Sequence, residues 1–249
     1  MKARQLHPWD VTPAEAREIQ SKLRGLVECR DRLPRPLRIV AGADVALEIS
    51  EPGGWRTGRG RAFAGVVAYR FPRMEEIERV SAALPLRFPY VPGLLSFREI
   101  PALLAAFGKL RHAPDLIFCD GHGYAHPRRL GIASHLGLLL DRPTIGVAKS
   151  VLVGAYREPG LGAGKSSPLV DEKTGEVIGA ALRTRRAVRP VFISTGHRIS
   201  LQHAIELTRA VSDGYRIPRP TRDADRWVAL ARRAATSEPA GRMTVAVFS

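Results

Sequence analysis

The chain is 249 residues long and 45% hydrophobic, and its 39 Lys plus Arg against 24 Asp plus Glu leave a net charge of +15. Such a length can bury one substantial α/β core, so a single domain over 1–249 is expected, and the basic excess favours an anionic partner such as nucleic acid. Two cysteines, Cys29 and Cys119, are too few for a disulfide framework, and no window approaches the roughly 18 apolar residues of a membrane span; a soluble, cytoplasmic protein is expected.

Thr12, Pro13 and Glu15 form a helix-start signal, and the helix is predicted to run toward Arg30, ahead of the linker RDRLPRPLR. Three β-rich runs follow, RIVAGADVALE, RAFAGVVAYRF and EIERVSAALPLRF. The turn-forming SEPGGWRTGRG and PRMEE join them, which predicts an antiparallel meander. In FPYVPG, Pro89 and Pro92 fix their own φ and bias the residues before them to extended backbone, so Phe88 to Pro92 is read as a stiff spur that turns at Gly93. Ser96 and Glu99, followed by apolar Ile100, Leu103, Leu104 and Phe107, read as a capping box opening a helix. Beyond lie the strand DLIFCDG, the helix RRLGIASHLGLLLD, the strand PTIGVAKS and the strands GEVIGAALRT and PVFISTG. Helices near Leu201 to Val211 and Arg222 to Ala235 close the chain, and REPGLGAGKSSP is expected to be an exposed loop. This order predicts an α/β fold, a mixed sheet of three antiparallel strands followed by parallel strands, with helices on both faces.

Two motifs imitate sites. GLGAGKSS lacks the first glycine of a phosphate loop, its place being held by Pro159, and Pro168 would block the helix that must follow. His122 and His126 have helical zinc spacing, but Gly121, Gly123 and Pro127 argue against a helix there. The acidic residues are more informative. Asp44 interrupts the apolar IVAGADVAL and Asp120 ends LIFCDG; a carboxylate so placed is costly to bury unless paired or bound to a cation. Singly, each suits a turn, and Glu99 suits a cap. If the strands of Asp44 and Asp120 are neighbours and the helix of Glu99 starts beside them, three carboxylates converge as hard ligands for Mg²⁺ or Mn²⁺.

The blocks DVALE, FPYVPGLLSFRE, DLIFCDGHGYAHPRRLGIASHLGLLLDRPTIGVAKS, VFISTGHRIS and IPRPTRDADRW stand in the order of the endonuclease V family, which the chain resembles from about Arg4 to Ala229. The last residues, roughly 236–249, carry no such block. The resemblance implies a ribonuclease H-like fold and a metal-dependent enzyme, using Mg²⁺ with Mn²⁺ able to substitute. It implies nicking of DNA at the second phosphodiester bond 3′ to deoxyinosine and other deaminated bases. By position it assigns Asp44, Glu99 and Asp120 as catalytic carboxylates and metal ligands, Asp225 as the fourth acidic position, and His126 and Lys149 as further active-site residues. Lys149 is expected to clamp the phosphate, and His126 to orient a water or touch the leaving group. Asp223, two residues from Asp225, would project to the other side of a helix. The PYVP segment resembles the wedge inserted at the lesion, with Tyr90 filling the space of the everted base. Val91, Pro92, Gly93, Leu95, Gly121, Gly123 and Ile132 are the remaining substrate contacts so implied, the Gly-rich DGHG leaving backbone free to approach the base. A monomer is expected. The alternatives are an inosine-specific ribonuclease of the same family and a catalytically silent nucleic-acid-binding protein, which the intact acidic set disfavours.

Overall fold

In a computed structural model of the chain, residues 1–49 and 59–237 are described; most of SEPGGWRTGRG and the segment beyond 237 lie outside them. Helix α1 (Pro13–Leu23) starts on the predicted box, Glu15 N donating to Thr12 Oγ1 (3.3 Å) and Thr12 N to Glu15 Oε2 (2.7 Å). It ends earlier than Arg30, in a 3₁₀ turn over Arg24–Leu26.

The three long strands β1 (Ile39–Ile49), β2 (Gly60–Arg70) and β3 (Glu75–Pro85) form the expected antiparallel meander, with Asp44 opposite Gly65. Then come α2 (Leu95–Gly108), β4 (Leu116–Asp120), α3 (Ile132–Leu140) and β5 (Thr144–Ala148). β4 pairs in parallel with β1, and β5 with β4. The remaining strands, β6 (Ala155–Tyr156), β7 (Ser166–Val170), β8 (Val177–Leu182) and β9 (Val191–His197), extend the sheet in antiparallel fashion. Among the described residues the sheet is nine-stranded, in the order β3-β2-β1-β4-β5-β9-β8-β7-β6. Helices α4 (Leu201–Ala210) and α5 (Arg219–Ser237) complete the chain. The result is the mixed α/β, ribonuclease H-like sheet, its parallel pairings confined to the centre, where α2 and α3 supply the crossovers that parallel neighbours need.

Small residues on one face of the meander, Ala41, Ala43, Ala62 and Ala64, let α2 and α3 pack closely through Ile100, Leu103, Phe107 and Leu136. Each of these large side chains is fully buried, which stabilises the fold by roughly 1.5–3 kcal/mol per residue before entropy is counted. On the other face Val40, Tyr69, Phe118 and Val147 pack against α4 and Trp227 of α5. Helix α5 touches the sheet backbone itself: a Cβ added at Gly42 would stand 1.9 Å from Pro220 O.

Two local expectations are corrected. Ser96 and Glu99 do not cap α2, which begins at Leu95 behind an N-cap Leu94 without a side-chain hydrogen bond; both residues are buried instead. The segment REPGLGAGKSSP is only partly a loop, since Ser166, Ser167 and Pro168 enter β7, Pro168 opposite Ala180. Its preceding turn is held by buried Arg183, which donates to Gly160 O (2.9 Å), Pro159 O (2.9 Å) and Glu158 Oε2 (2.9 Å).

Candidate active site

Register decides where the acidic side chains point. β1 and β4 pair in parallel with Ala43 beside Cys119, so Asp44 and Asp120 follow as neighbours and face opposite to those two residues. Ala43 and Cys119 belong to the α2 side, which turns Asp44 and Asp120 toward α5. Asp225 on α5 and Lys149, just past β5, reach the same place: Lys149 Nζ lies 2.6 Å from Asp120 Oδ2 and 3.9 Å from Asp225 Oδ1. Glu99 arrives from α2 and is buried. Burial pushes Glu99 up to about 8, and the charges of Asp44 and Asp120 add to the rise. Asp44 is likewise pushed up to about 8 by burial and by Asp120, while the rise at Asp120 from burial is opposed by Lys149. Carboxylates whose charge raises buried acidic neighbours in this way form a site short of positive charge. Asp223, the near decoy, is spent elsewhere, accepting from Tyr69 Oη (2.8 Å) and Arg219 Nε (3.3 Å).

Beside the carboxylates opens a cavity of about 220 Å³. Tyr90, Val91, Pro92, Gly93 and Leu95 form one wall, Gly121 and Ile132 the other. Gly93 turns with φ +76°, and its carbonyl is held by three donors: His126 Nε2 (3.0 Å), Gln20 Nε2 (3.1 Å) and Arg128 Nη2 (2.8 Å). Stiffness of the spur is thus both proline-encoded and tertiary. Tyr90 stays 48% exposed at the rim.

His126 belongs to this wall and not to the carboxylate group. Its Nδ1 accepts from Arg128 N (3.1 Å), so Nε2 carries the proton donated to Gly93, and burial followed by Arg128 lowers the ring to about 4. Nε2 thereby holds the spur and Nδ1 the turn to Arg128. Gly123, unlike His126, does not line the cavity; its N–H goes to Ser194 Oγ (2.8 Å) and its carbonyl accepts from Gly131 N (2.9 Å). His122 lines the cavity but donates from Nε2 to Ser150 O (3.0 Å), bracing the turn after Lys149. Among the described residues no three His, Cys, Asp or Glu side chains already stand in a metal-holding arrangement.

The endonuclease V family profile matches residues 21–226. The chain belongs to the endonuclease V family. An endonuclease V of Gloeobacter violaceus is 47% identical over 230 residues, which cover 92% of this chain and 90% of the relative. The crystal structure of endonuclease V from Streptomyces avermitilis superposes with a TM-score of 0.84 at 43% identity, covering 92% of this chain and 96% of that one. The Ciona intestinalis endonuclease V, solved in complex with a 24mer DNA containing an inosine followed by a ribo-adenosine, superposes at 0.76 with 25% identity, covering 89% of this chain and 98% of that one.

In this member of the endonuclease V family the residues unforeseen in the sequence are Gln20, Arg128 and Ser96. Gln20 sits on α1 and reaches both walls, donating to Gly93 O and to Leu130 O (3.2 Å). Its sole advance signal is a long polar residue on the apolar side of an amphipathic helix, beside Ala16 and Leu23. No described helix is long and apolar enough to cross a membrane.

Proposed function

We propose that this protein is a DNA repair endonuclease that recognises deaminated bases, chiefly deoxyinosine, and hydrolyses the second phosphodiester bond 3′ to the lesion, leaving 3′-hydroxyl and 5′-phosphate ends. The observation that carries the reading is the meeting of Asp44, Glu99 and Asp120 from β1, α2 and β4 beside a base-sized cavity, with Lys149 at 2.6 Å from Asp120. The cavity, about 220 Å³, falls below the roughly 300 Å³ at which drug-sized ligands begin, and suits a single base. An inosine-containing DNA bound to the Ciona intestinalis relative supports the substrate class.

The donor set fits a divalent cation: three hard carboxylate groups, of which Asp120 raises Asp44 and both raise Glu99, so that positive charge beside them is favoured. Asp44, Glu99 and Asp120 would hold Mg²⁺, or Mn²⁺ in its place, and the bound ion would supply Lewis-acid activation of water and of the phosphate. The chain's own groups do the rest. The spur 88–93 enters the duplex at the lesion and Tyr90 stacks in the vacated space, while the cavity receives the turned-out base. Lys149, released from Asp120, directs its ammonium to a phosphate oxygen, and Asp225 on the exposed side keeps it within the site.

Asp120→Asn tests the reading: nicking of inosine duplex is lost while binding of that duplex survives, because a ligand charge is removed and the groove contacts are not. Near-normal turnover in Mg²⁺ would sink the site assignment. Cleavage of matched oligonucleotides bearing deoxyinosine, uracil, xanthine or ribo-inosine separates DNA from the alternative RNA target, which the ribo-adenosine in the relative's bound strand makes worth testing.

A further inference from the structure

The wall of the cavity contains a hydrogen-bonded chain that the catalytic reading does not use. Ser96 lines the cavity and its Oγ lies 3.1 Å from His135 Nδ1. His135 Nε2 lies 2.7 Å from His7 Nε2, and His7 Nδ1 lies 2.7 Å from Pro8 O. All three side chains are buried, Ser96 at 2%, His135 at 0% and His7 at 8% exposure. The imidazoles are sealed by rings: Trp9 stacks on His135 at 5.8 Å and meets His7 edge-on at 4.6 Å, and Phe97 lies 5.2 Å from each.

The polarity of this chain follows from its far end. A carbonyl oxygen only accepts, so His7 Nδ1 carries the proton that meets Pro8 O. In a neutral ring His7 Nε2 is then an acceptor, which requires N–H at His135 Nε2 and leaves His135 Nδ1 an acceptor in turn. The Ser96 hydroxyl therefore donates its proton to His135 Nδ1. Only a proton added to His7 or to His135 would reverse the sequence, and burial, the larger influence on each ring, lowers the affinity of both for a proton.

We propose that Ser96 is a specificity-determining contact whose oxygen offers only lone pairs to the cavity, and that His135 and His7 are positioning residues that fix this polarity. The inference rests on the base-binding reading above and names the chemistry that the cavity reads. Deamination of adenine or cytosine turns a ring nitrogen that accepts into an N–H that donates. An acceptor-only hydroxyl pairs with that N–H and faces the undamaged base with opposed lone pairs, leaving a buried polar group unpaired. The lesion is thereby distinguished by a proton and not by shape, through a carbonyl three hydrogen bonds away.

The test is binding of the full chain, by anisotropy in EDTA, to one duplex bearing inosine, 1-deazainosine (C–H in place of N1–H) or adenosine. The unmodified protein prefers inosine to 1-deazainosine by about three- to tenfold, the worth of one hydrogen bond. Ser96→Ala brings that ratio to near unity. His135→Phe frees the hydroxyl to turn its proton into the cavity, so preference for inosine over adenosine falls by a similar factor while affinity for 1-deazainosine holds. His7→Phe, at the less enclosed end of the chain, gives the same fall if the His135→Phe variant does not fold. Ser96→Ala with the inosine preference over 1-deazainosine intact overturns the inference alone. Equal weakening on all three duplexes also overturns it, since a merely structural hydroxyl would act so. No preference for inosine over adenosine in the unmodified protein overturns the base-binding reading, and this inference with it.

Discussion

Gly42→Ala tests how the acidic site is assembled, because it touches no acidic residue. The added Cβ would stand 1.9 Å from Pro220 O and 2.1 Å from Pro220 C, backbone atoms that no rotamer change can move. Ordinary contact begins at 3.4 Å, so the start of α5 must retreat by 3.4 − 1.9 = 1.5 Å, or β1 must bend by as much. Gly42 lies two residues before Asp44 on the same face of β1, and α5 carries Asp225 and the Val228 side chain that fits over Gly65. Forced expansion of a packed interface of this kind costs about 1–3 kcal/mol, which lowers the melting temperature by about 2–12 °C in a chain of this size. Catalysis should suffer more than stability, since a misplacement on the order of 1 Å among reacting groups costs on the order of a hundredfold in rate. The assay pairs thermal melting with single-turnover nicking of inosine duplex. Gly108→Ala is the control: nothing lies within 4 Å of its Cβ, and a helical Ala in place of Gly gains up to about 1 kcal/mol. If Gly42→Ala melts and nicks as the parent does, the close approach of α5 is not what places Asp225.

Lys149→Met should keep the fold and slow single-turnover nicking substantially, since it removes the cation 2.6 Å from Asp120; an unchanged rate would return Lys149 to the role of a strand-end residue. Tyr90→Ala should weaken binding of inosine duplex by about tenfold or more and of undamaged duplex far less, with little change in melting because the ring is already half exposed. Equal weakening on both duplexes would remove the wedge from the mechanism. His197 is buried, and burial followed by Arg198 lowers it from 6.5 to about 4. The unfolded chain binds that proton first, so this contribution to stability is complete above pH 6.5 and is lost as pH falls toward about 4. Urea unfolding of His197→Gln should accordingly show a shallower loss of stability between those limits than the parent; parallel curves would refute the assignment.

Much of this protein could be read along the chain because the signals are local. The meander was visible in three β-rich runs and their turns, the start of α1 in Thr12 and Glu15, and the stiffness of the spur in Pro89 and Pro92, each set by the backbone preferences of a few adjacent residues. The acidic positions were legible for a related reason: a carboxylate ending an apolar strand is costly wherever the strand goes. What the neighbours of those residues would be was not local. Ser96 and Glu99 have the spacing of a cap, yet the helix starts earlier, at Leu95; burial of Phe97, Ile100 and Leu103 on that helix outweighs the roughly 1 kcal/mol of a capping bond and carries both residues inward, one to His135 and one toward Asp44 and Asp120. The hydrogen bond of His126 to the Gly93 carbonyl, 33 residues away, was not legible either. His7 gave no warning and Gln20 only its polar place on an apolar helix face, because hydrogen-bond partners 128 and 73 residues away are chosen by packing and not by sequence spacing. The chain carried its own list of expensive groups; only the tertiary structure decided which of them would share a site, because pairing across such separations is settled by how the sheet and helices close on one another.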